Sequence, residues 1–196
     1  MTPDEIIITA VALFQKQGYH ATTVRQISTA LGVTSAALYY YFPGKEAILE
    51  AIFDMAMTTA EKHLQDLLAS DYPAEVRLQK LVQEHAMAVI EDLPLMTVFF
   101  NEMNNLPPES RARALARQRD YQMKMRSIIS EAISAGYIDD VNPAIVVYAI
   151  LGMCNWLHHW YKADGQLSPE QIGALFSRIV SNGIARVTTT RSACSA

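Results

Sequence analysis

The stretch from Thr22 to Lys45, TTVRQISTALGVTSAALYYYFPGK, constrains the fold of this chain more than any other. Thr23 and Thr34 each stand directly before a short run of apolar residues at helical spacing. A threonine in that position accepts a hydrogen bond from a backbone N–H that the first helical turn leaves unpaired, so both mark helix starts. The Leu-Gly-Val sequence ending at Val33 supplies a turn between them. Two short helices joined in this way predict a helix-turn-helix.

The second of these helices predicts a surface that approaches another molecule. Tyr39, Tyr40 and Tyr41 are consecutive, and neighbouring residues on a helix point about 100° apart, so all three cannot enter one core. Small side chains at the helix start permit close approach to a major groove, while tyrosine and lysine can donate to phosphate oxygens. A short helical hairpin with aromatic packing is the alternative interpretation.

The flanking residues carry a resemblance to a known family. The segment TAVALFQKQGYHATTVRQISTALGVTSAALYYYFPGKEAILEAIF resembles the N-terminal DNA-binding domain of the TetR family of transcriptional regulators. Tyr41 and Ala36 depart from the His and Gly that relatives commonly carry, which leaves the operator sequence open. The predicted DNA contacts are Thr23, Arg25, Thr34, Ser35, Ala36, Tyr39, Tyr40, Tyr41 and Lys45.

The rest of the chain is predicted to be helical, because proline and glycine breaks separate it into apolar-periodic segments without strand alternation. We expect a long helix at 45–68, followed by helices near 74–92, 95–105, 109–135, 143–163 and 169–187. The resemblance likewise implies an all-α chain of about nine helices. The predicted domains are a DNA-binding domain at 1–46, an effector-binding and dimerisation domain at 47–190, and a flexible tail at 191–196.

Composition agrees with a folded protein, since 51% of the residues are hydrophobic and 18% are charged. The net charge of −4 would not by itself suggest DNA binding, although residues 1–45 carry three basic against two acidic side chains. Residues 1–8 lack the basic and apolar pattern of a cleavable signal, so we expect a cytoplasmic protein. The helix at 143–163 is too short and amphipathic for a membrane span. Cys154 and Cys194 do not suggest a disulfide framework.

An aromatic and methionine-rich set of residues in the body predicts an effector pocket. Thioethers adapt to irregular apolar ligands, and few charges lie among these residues. The same side chains could instead fill the core, and this alternative stays open for each of them. The predicted pocket residues are Met87, Phe99, Phe100, Met103, Tyr121, Met125, Met153 and Trp156.

The segment from Gly152 to Ile184 resembles the C-terminal part of TetR relatives that respond to acyl-CoA thioesters. One helix also places Arg113, Arg117 and Lys124 on a shared face, where CoA phosphates could bind. A solvated helix face is the alternative interpretation of these cations. The predicted effector is therefore small and largely apolar, with an acyl-CoA as the candidate. A multidrug-type regulator that answers to aromatic or cationic drugs is the alternative.

The segment at 169–187 has an apolar face and begins with the capping sequence Ser-Pro-Glu-Gln. In TetR relatives the last two long helices pair with those of a second copy, and the resemblance implies the same here. A homodimer sets two recognition helices about 34 Å apart, the spacing of successive major grooves in a palindrome. The predicted interface residues are Ile172, Leu175, Phe176 and Ile179.

No catalytic activity is predicted. An enzyme needs a nucleophile, a base and an orienting group together, and no motif supplies them around Cys154 or the histidines. Adjacent His158 and His159 point apart, so neither a metal site nor a cofactor is predicted. A helical adaptor that does not bind DNA is a third class. The sequence favours a homodimeric, ligand-responsive repressor that binds a double-stranded DNA operator.

Overall fold

A computed structural model describes residues 1–183 of the chain, and their regular secondary structure is helical, which confirms the predicted all-α class. The head consists of α1 (Pro3–Gln17), α2 (Val24–Ala30) and α3 (Ser35–Tyr39). The connecting helix is α4 (Lys45–Leu68). The body consists of α5 (Ala74–Glu91), α6 (Leu93–Asn101), a 3-10 turn at Met103–Asn105, α7 (Pro108–Ser134), α8 (Pro143–Asn155), α9 (Leu157–Trp160) and α10 (Pro169–Gly183).

The predicted capping signals start the helices. Thr23 Oγ1 accepts from the Gln26 backbone N–H at 3.2 Å, and Gln26 Oε1 accepts from the Thr23 N–H at 2.8 Å. Thr34 Oγ1 accepts from the Ala37 N–H at 3.2 Å. Gly32 adopts a φ of 70°, a conformation that costs glycine little, and so allows the turn. The same reciprocal cap starts α1 at Thr2 and Glu5, and α10 at Ser168 and Gln171.

The recognition helix α3 is shorter than the predicted run to Phe42. The backbone N–H groups of Tyr41 and Phe42 both donate to the Leu38 carbonyl, at 3.0 and 3.1 Å. The chain therefore tightens after Tyr39, and Pro43 has no N–H with which to continue the helix.

The predicted single helix at 143–163 is interrupted at Trp156. His158 Nδ1 lies 2.5 Å from the Asn155 carbonyl oxygen, which a continuous helix would offer to the His159 N–H. That N–H instead donates to the Trp156 carbonyl at 3.0 Å. A side chain thus competes with the backbone ladder and divides the helix into α8 and α9. Counted as one interrupted helix, they bring the total within residues 1–183 to the predicted nine.

The helix predicted at 95–105 begins earlier, at Leu93, and ends at Asn101 before the 3-10 turn. Proline is tolerated in a first helical turn, so Pro94 lies inside the helix and does not precede it. Asp92 caps this start by accepting from the Leu95 N–H at 3.3 Å.

A continuous apolar core joins the head to the body through α4. In addition to α4, the head helix α1 contacts α6. The C-terminal helix α10 packs along α5, where a Cβ on Gly173 would lie 3.2 Å from the Gln83 carbonyl oxygen. Glycine at this position permits the two backbones to approach closely.

Three expectations fall outside the described residues: the end of the last helix near 187, the domain end at 190 and the tail at 191–196. Within residues 1–183, no helix combines the length and apolar character needed to cross a membrane.

Candidate nucleic-acid interface and ligand cavity

The three tyrosines that follow the buried Leu38 of α3 are all exposed. Leu38 is fully buried and Phe42, one helical turn later, packs against the core. Tyr39, Tyr40 and Tyr41 lie between them and are 52%, 83% and 38% exposed. The hydroxyls of Tyr39 and Tyr40 make no hydrogen bond within residues 1–183, whereas that of Tyr41 donates to the Met1 carbonyl at 3.1 Å. The helix therefore presents aromatic donors on the outside of the head.

Most of the other predicted DNA contacts are also exposed. Ser35 is the exception in α3: it is half-buried, and its hydroxyl lies 3.0 Å from that of Ser28, a bond that ties α3 to α2. The exposed members are Thr23, Arg25, Thr34 and Ala36. The helix-turn-helix thus leaves cap hydroxyls, an arginine and a small side chain accessible to solvent.

Lys45, a predicted phosphate contact, is bonded within the head. Its Nζ donates to the backbone carbonyls of Tyr19 and Thr22 at 2.7 and 2.9 Å, and lies 4.1 Å from the Tyr19 ring centroid. The chain between α1 and α2 presents carbonyls there that an ammonium group satisfies well. Lys45 therefore holds the head to the start of α4.

The body contains a partly open cavity of about 160 Å³ between α4, α5, α6, α7 and α8. Its wall is apolar on one side and carries neutral polar side chains on the other. A second cavity of about 130 Å³ shares Ala56, Ala60, His85 and Met96 with it. The residues lining the first cavity are Ala56, Met57, Ala60, His85, Met96, Phe99, Phe100, Gln118, Tyr121, Gln122, Leu151 and Asn155.

A hydrogen-bonded chain of three side chains forms the polar wall. His85 Nδ1 lies 2.9 Å from the Tyr121 hydroxyl, and His85 Nε2 lies 3.0 Å from Asn155 Oδ1. Burial lowers the pKa of His85, against a smaller opposing contribution from Asn155. Burial also raises the pKa of Tyr121, and raises that of nearby Cys154 to about 12. The wall is therefore neutral at physiological pH, and the Cys154 thiol stays protonated.

The structure brings only part of the predicted effector set to this cavity: Phe99, Phe100 and Tyr121 line it. Met125 instead lies fully buried in the core. Trp156 is 58% exposed, and its ring lies beside that of His159, with 3.9 Å between centroids and the planes tilted by 49°.

The remaining predicted methionines also lie outside the first cavity. Met153 lines a groove between α8 and α10, and Met103 packs on the core from the 3-10 turn. Met87 is half-buried on α5 and borders neither cavity. Helical periodicity predicts which face of each helix is apolar. It does not predict how several helices are rotated relative to one another, and that rotation decides which of their side chains reach the cavity.

Sequence reasoning missed the polar wall. His85 occupies a position in α5's buried stripe, one helical turn after Leu81 and Val82, and a histidine in such a stripe is the signal that could have identified it. Asn155, a lone amide between Cys154 and Trp156, carries a similar signal, whereas Gln118 and Gln122 carry none because their sequence neighbours are mixed.

The predicted phosphate-binding cations are already paired with carboxylates. Arg117 bonds to Asp54 at 2.8 Å and to both carboxylate oxygens of Glu61 at 2.9 and 2.8 Å, which raises its pKa. Two weaker pairs complete the set: Arg113 with Glu50 at 3.4 Å, and Lys124 with Asp120 at 2.8 Å. Arg117 and Arg113 therefore tie α7 to α4, and a CoA phosphate would have to displace these carboxylates.

The predicted dimer residues divide between the two sides of α10. Ile172 and Phe176 are buried inside the protomer, because the Gly173 face of α10 packs on α5. In the protomer they are packed against its own core, which disagrees with their predicted place in the interface. Leu175 and Ile179 are exposed. They continue an apolar surface on α8 and α9 that includes Ile145, Tyr148, Trp156 and Trp160.

Known proteins resemble both parts of the chain. Residues 6–52 match the family described as "Bacterial regulatory proteins, tetR family", and residues 71–184 match "Tetracyclin repressor-like, C-terminal domain". The chain is 26% identical over 184 residues to the HTH-type transcriptional repressor KstR2 of Mycobacterium tuberculosis, a match covering 93% of this chain and 92% of that protein.

Two solved structures have a similar fold at somewhat higher identity. The TetR family transcriptional regulator PfmR from Thermus thermophilus is 28% identical with a TM-score of 0.85, covering 92% of this chain and 99% of that chain. AibR, in complex with isovaleryl coenzyme A and operator DNA, is 28% identical with a TM-score of 0.82, covering 90% of this chain and 96% of that chain.

Proposed function

The chain belongs to the TetR family of transcriptional regulators, and we propose that it is a repressor which a small, largely apolar effector, an acyl-CoA, releases from a palindromic operator. Membership confirms the predicted regulatory, non-catalytic role. The observation that carries the proposal is that one helix, α4, borders the head at one end and lines the ligand cavity in its middle.

In this proposal α3 enters the major groove. Ala36 and Ser35 lie nearest base edges together with Tyr41, while Tyr39 and Tyr40 donate to phosphates, and the exposed Thr23 and Arg25 of α2 grip the backbone. Lys45 takes a positioning role in place of the predicted phosphate contact, because its ammonium group already bonds to two carbonyls of the head.

The operator is palindromic because the repressor is a homodimer. The exposed apolar surface on α8, α9 and α10 supports this assembly, since Ile145, Trp156 and Ile179 are each more than half exposed in the protomer. Large exposed apolar surfaces commonly mark interaction sites. Leu175 and Ile179, and not Ile172 or Phe176, contribute the α10 side of the interface.

The effector binds in the cavity of the body. AibR, the relative solved with isovaleryl coenzyme A, supports an acyl-CoA as the effector of this chain. The first cavity is lined by no carboxylate, although Glu91 and Asp92 border the second, so a cationic drug remains the alternative effector. A ligand changes DNA binding only through its differential affinity for two conformations, and a 100-fold release requires about 2.7 kcal/mol of coupling.

We assign residues 1–46 to the DNA-binding domain and the rest of the described chain to the effector and dimer domain. The boundary lies in the first turn of α4, where Lys45 bonds back to the head. Operator binding to chromosomal DNA requires the repressor to act in the cytoplasm.

A gel-shift with DNA flanking the gene tests this function. We expect a dimer to bind a palindrome and acyl-CoAs to release it, whereas free CoA and free acids do not. Release by an aromatic cationic drug alone would favour the multidrug alternative. A chain that binds no flanking DNA with or without ligand would contradict the proposed repressor.

A further inference from the structure

The size of the cavity limits what can enter it. An enclosed apolar cavity of about 150 Å³ accepts a molecule the size of benzene. The first cavity, at about 160 Å³ and partly open to solvent, therefore surrounds only a compact part of a ligand, and the remainder extends outside it. Ala56 and Ala60 separate it from the second cavity of about 130 Å³, so a group somewhat longer can extend past their small side chains.

The polar wall offers hydrogen-bond donors to such a group. Asn155 Oδ1 can only accept, so His85 carries its proton on Nε2 and accepts the Tyr121 hydroxyl proton on Nδ1. The Asn155 Nδ2 amide then keeps its N–H groups free. The Gln118 and Gln122 side chains also line the cavity and make no hydrogen bond within residues 1–183. Three neutral amides thus face one small space without partners.

The surroundings disfavour a negative charge in this space. The residues that line the first cavity include no lysine or arginine, and the guanidinium group of Arg117 is directed to Asp54 and Glu61. Desolvation also disfavours the charged form of buried His85. A carboxylate would lose its hydration without meeting a cation, which is costly.

We propose that the cavity binds the neutral carbonyl group and short apolar chain of an acyl thioester, and rejects the corresponding free carboxylate. The inference rests on the proposed effector-binding function and specifies the chemistry of its site. The amides of Gln118, Gln122 and Asn155 donate to the carbonyl oxygen. Half-buried Gln118 and Gln122 lie toward solvent, so the sulfur-bearing end leaves the cavity beside them.

The acyl chain lies on the apolar side of the cavity. Met57, Phe99 and Leu151 supply that side. His85 is a positioning residue: by bonding to both Tyr121 and Asn155 it fixes the orientation of the Asn155 amide without contacting the ligand carbonyl. The discrimination therefore comes from the combination of free amide donors and missing cations.

Three small probes test the inference without the phosphates of CoA. They are the hexanoyl thioester of N-acetylcysteamine, the matching S-hexyl thioether, which lacks only the carbonyl oxygen, and hexanoate. Isothermal titration of the full chain should give the tightest binding for the thioester. Loss of the carbonyl hydrogen bonds weakens the thioether about tenfold. Burying the unpaired charge weakens hexanoate by about 100-fold.

Two variants test whether the preference for the thioester comes from the glutamine amides. The double variant Gln118→Met, Gln122→Met keeps side-chain length but removes two donors, and should reduce the preference of thioester over thioether to about twofold. Gln65→Met, at an exposed position of α4, is the matched control and should leave the preference unchanged. Circular dichroism checks that each variant is folded.

The outcomes separate this inference from the proposed function. Equal binding of thioester and thioether, tight binding of hexanoate, or a preference that survives the double variant would overturn the inference. If the chain shifts operator DNA but binds none of the probes, the inference also fails while the repressor function stands. If it shifts no DNA, the repressor function fails, and the probe ratios still decide the inference.

Discussion

The head and the body use tyrosine in opposite ways. Tyr39 and Tyr40 are exposed, with hydroxyls that have no partner within the described residues, while Tyr121 is buried and bonded to His85. An exposed hydroxyl is free to donate to a phosphate oxygen, whereas the buried network has little affinity for a charge. Under the two proposals, one molecule therefore recognises an anion at one end and a neutral carbonyl at the other. The predictions below test whether these two sites can be altered separately.

The largest effect should come from filling the cavity. Ala60 borders both cavities, so Ala60→Leu places extra methylene groups where the acyl chain lies. We expect effector affinity to fall about 100-fold, because single methylenes in a closed apolar pocket change affinity by roughly 10- to 200-fold. Operator affinity should stay within about twofold. Titration and gel-shift on the same sample measure both, with Ala112→Leu at an exposed α7 position as control. Unchanged effector affinity would place the ligand elsewhere.

The next effect concerns the other end of the molecule. Removing the exposed hydroxyls of Tyr39 and Tyr40 by Tyr39→Phe and Tyr40→Phe should weaken operator binding about 30-fold, since two hydrogen bonds are lost and each contributes roughly 1 kcal/mol net. Affinity for the thioester probe should not change. Fluorescence anisotropy with labelled operator at several salt concentrations gives the measurement, and Tyr72→Phe serves as the exposed control in the body. A double variant that binds operator as wild type does would contradict the docking of α3.

A smaller effect distinguishes two roles of Lys45. If its ammonium group positions the head, Lys45→Met removes two charge-assisted bonds to Tyr19 and Thr22 and lowers the free energy of unfolding by about 2 kcal/mol. Urea denaturation should show this loss. Lys16→Met, at an exposed site on α1, should change stability by less than about 0.5 kcal/mol. Full stability with a reduced salt slope of operator binding would instead support the phosphate contact.

The smallest effect is a pH dependence of stability. The pKa of His85 is lowered from its ordinary value of 6.5 in the folded protein, so below that pH the unfolded state binds a proton that the folded state does not. Stability is therefore lost as the pH falls below about 6.5, and is unaffected by this group above it. The melting temperature of His85→Gln should therefore fall less steeply with decreasing pH over that range than the melting temperature of wild type.

The comparison between His85→Gln and wild type separates the titration of His85 from that of the other ionisable groups nearby. His63 and Glu84 border a small cavity beside His85 and stay the same in both proteins. His159→Gln, at an exposed position, should keep the slope of wild type. A His85→Gln slope identical to that of wild type would mean that His85 is protonated equally in both states.

The head could be predicted in detail because its signals are local. The cap at Thr23, the turn at Gly32 and the buried Leu38 of the recognition helix each depend on residues only a few positions away. Even there, the position of Lys45 could not be foreseen, because its carbonyl partners lie 23 and 26 residues earlier in the chain.

The body was predictable as a set of helices but not as a site. Met125 and Phe99 have the same apolar character in the sequence, yet only Phe99 reaches the cavity. The difference arises because α6 and α7 are rotated differently relative to the cavity, and these rotations depend on contacts between residues far apart in the sequence. The interruption at Trp156 has a local origin instead, because the His158 side chain takes the Asn155 backbone carbonyl from its usual helical partner.

The Arg117 bonds give α4 a fixed point. Asp54 and Glu61 lie on either side of the residues that α4 contributes to the cavity, so the helix is pinned where a ligand would touch it. Lys45 is nine residues from Asp54, a lever arm of about 14 Å at 1.5 Å per residue. If α4 tilts as a rigid rod about this fulcrum, about 5° displaces its head end by about 1 Å, while the ion pairs at the pivot stay closed. Such a tilt would convert a small strain in the cavity into a displacement of the head, and it would load the contact between α1 and α6.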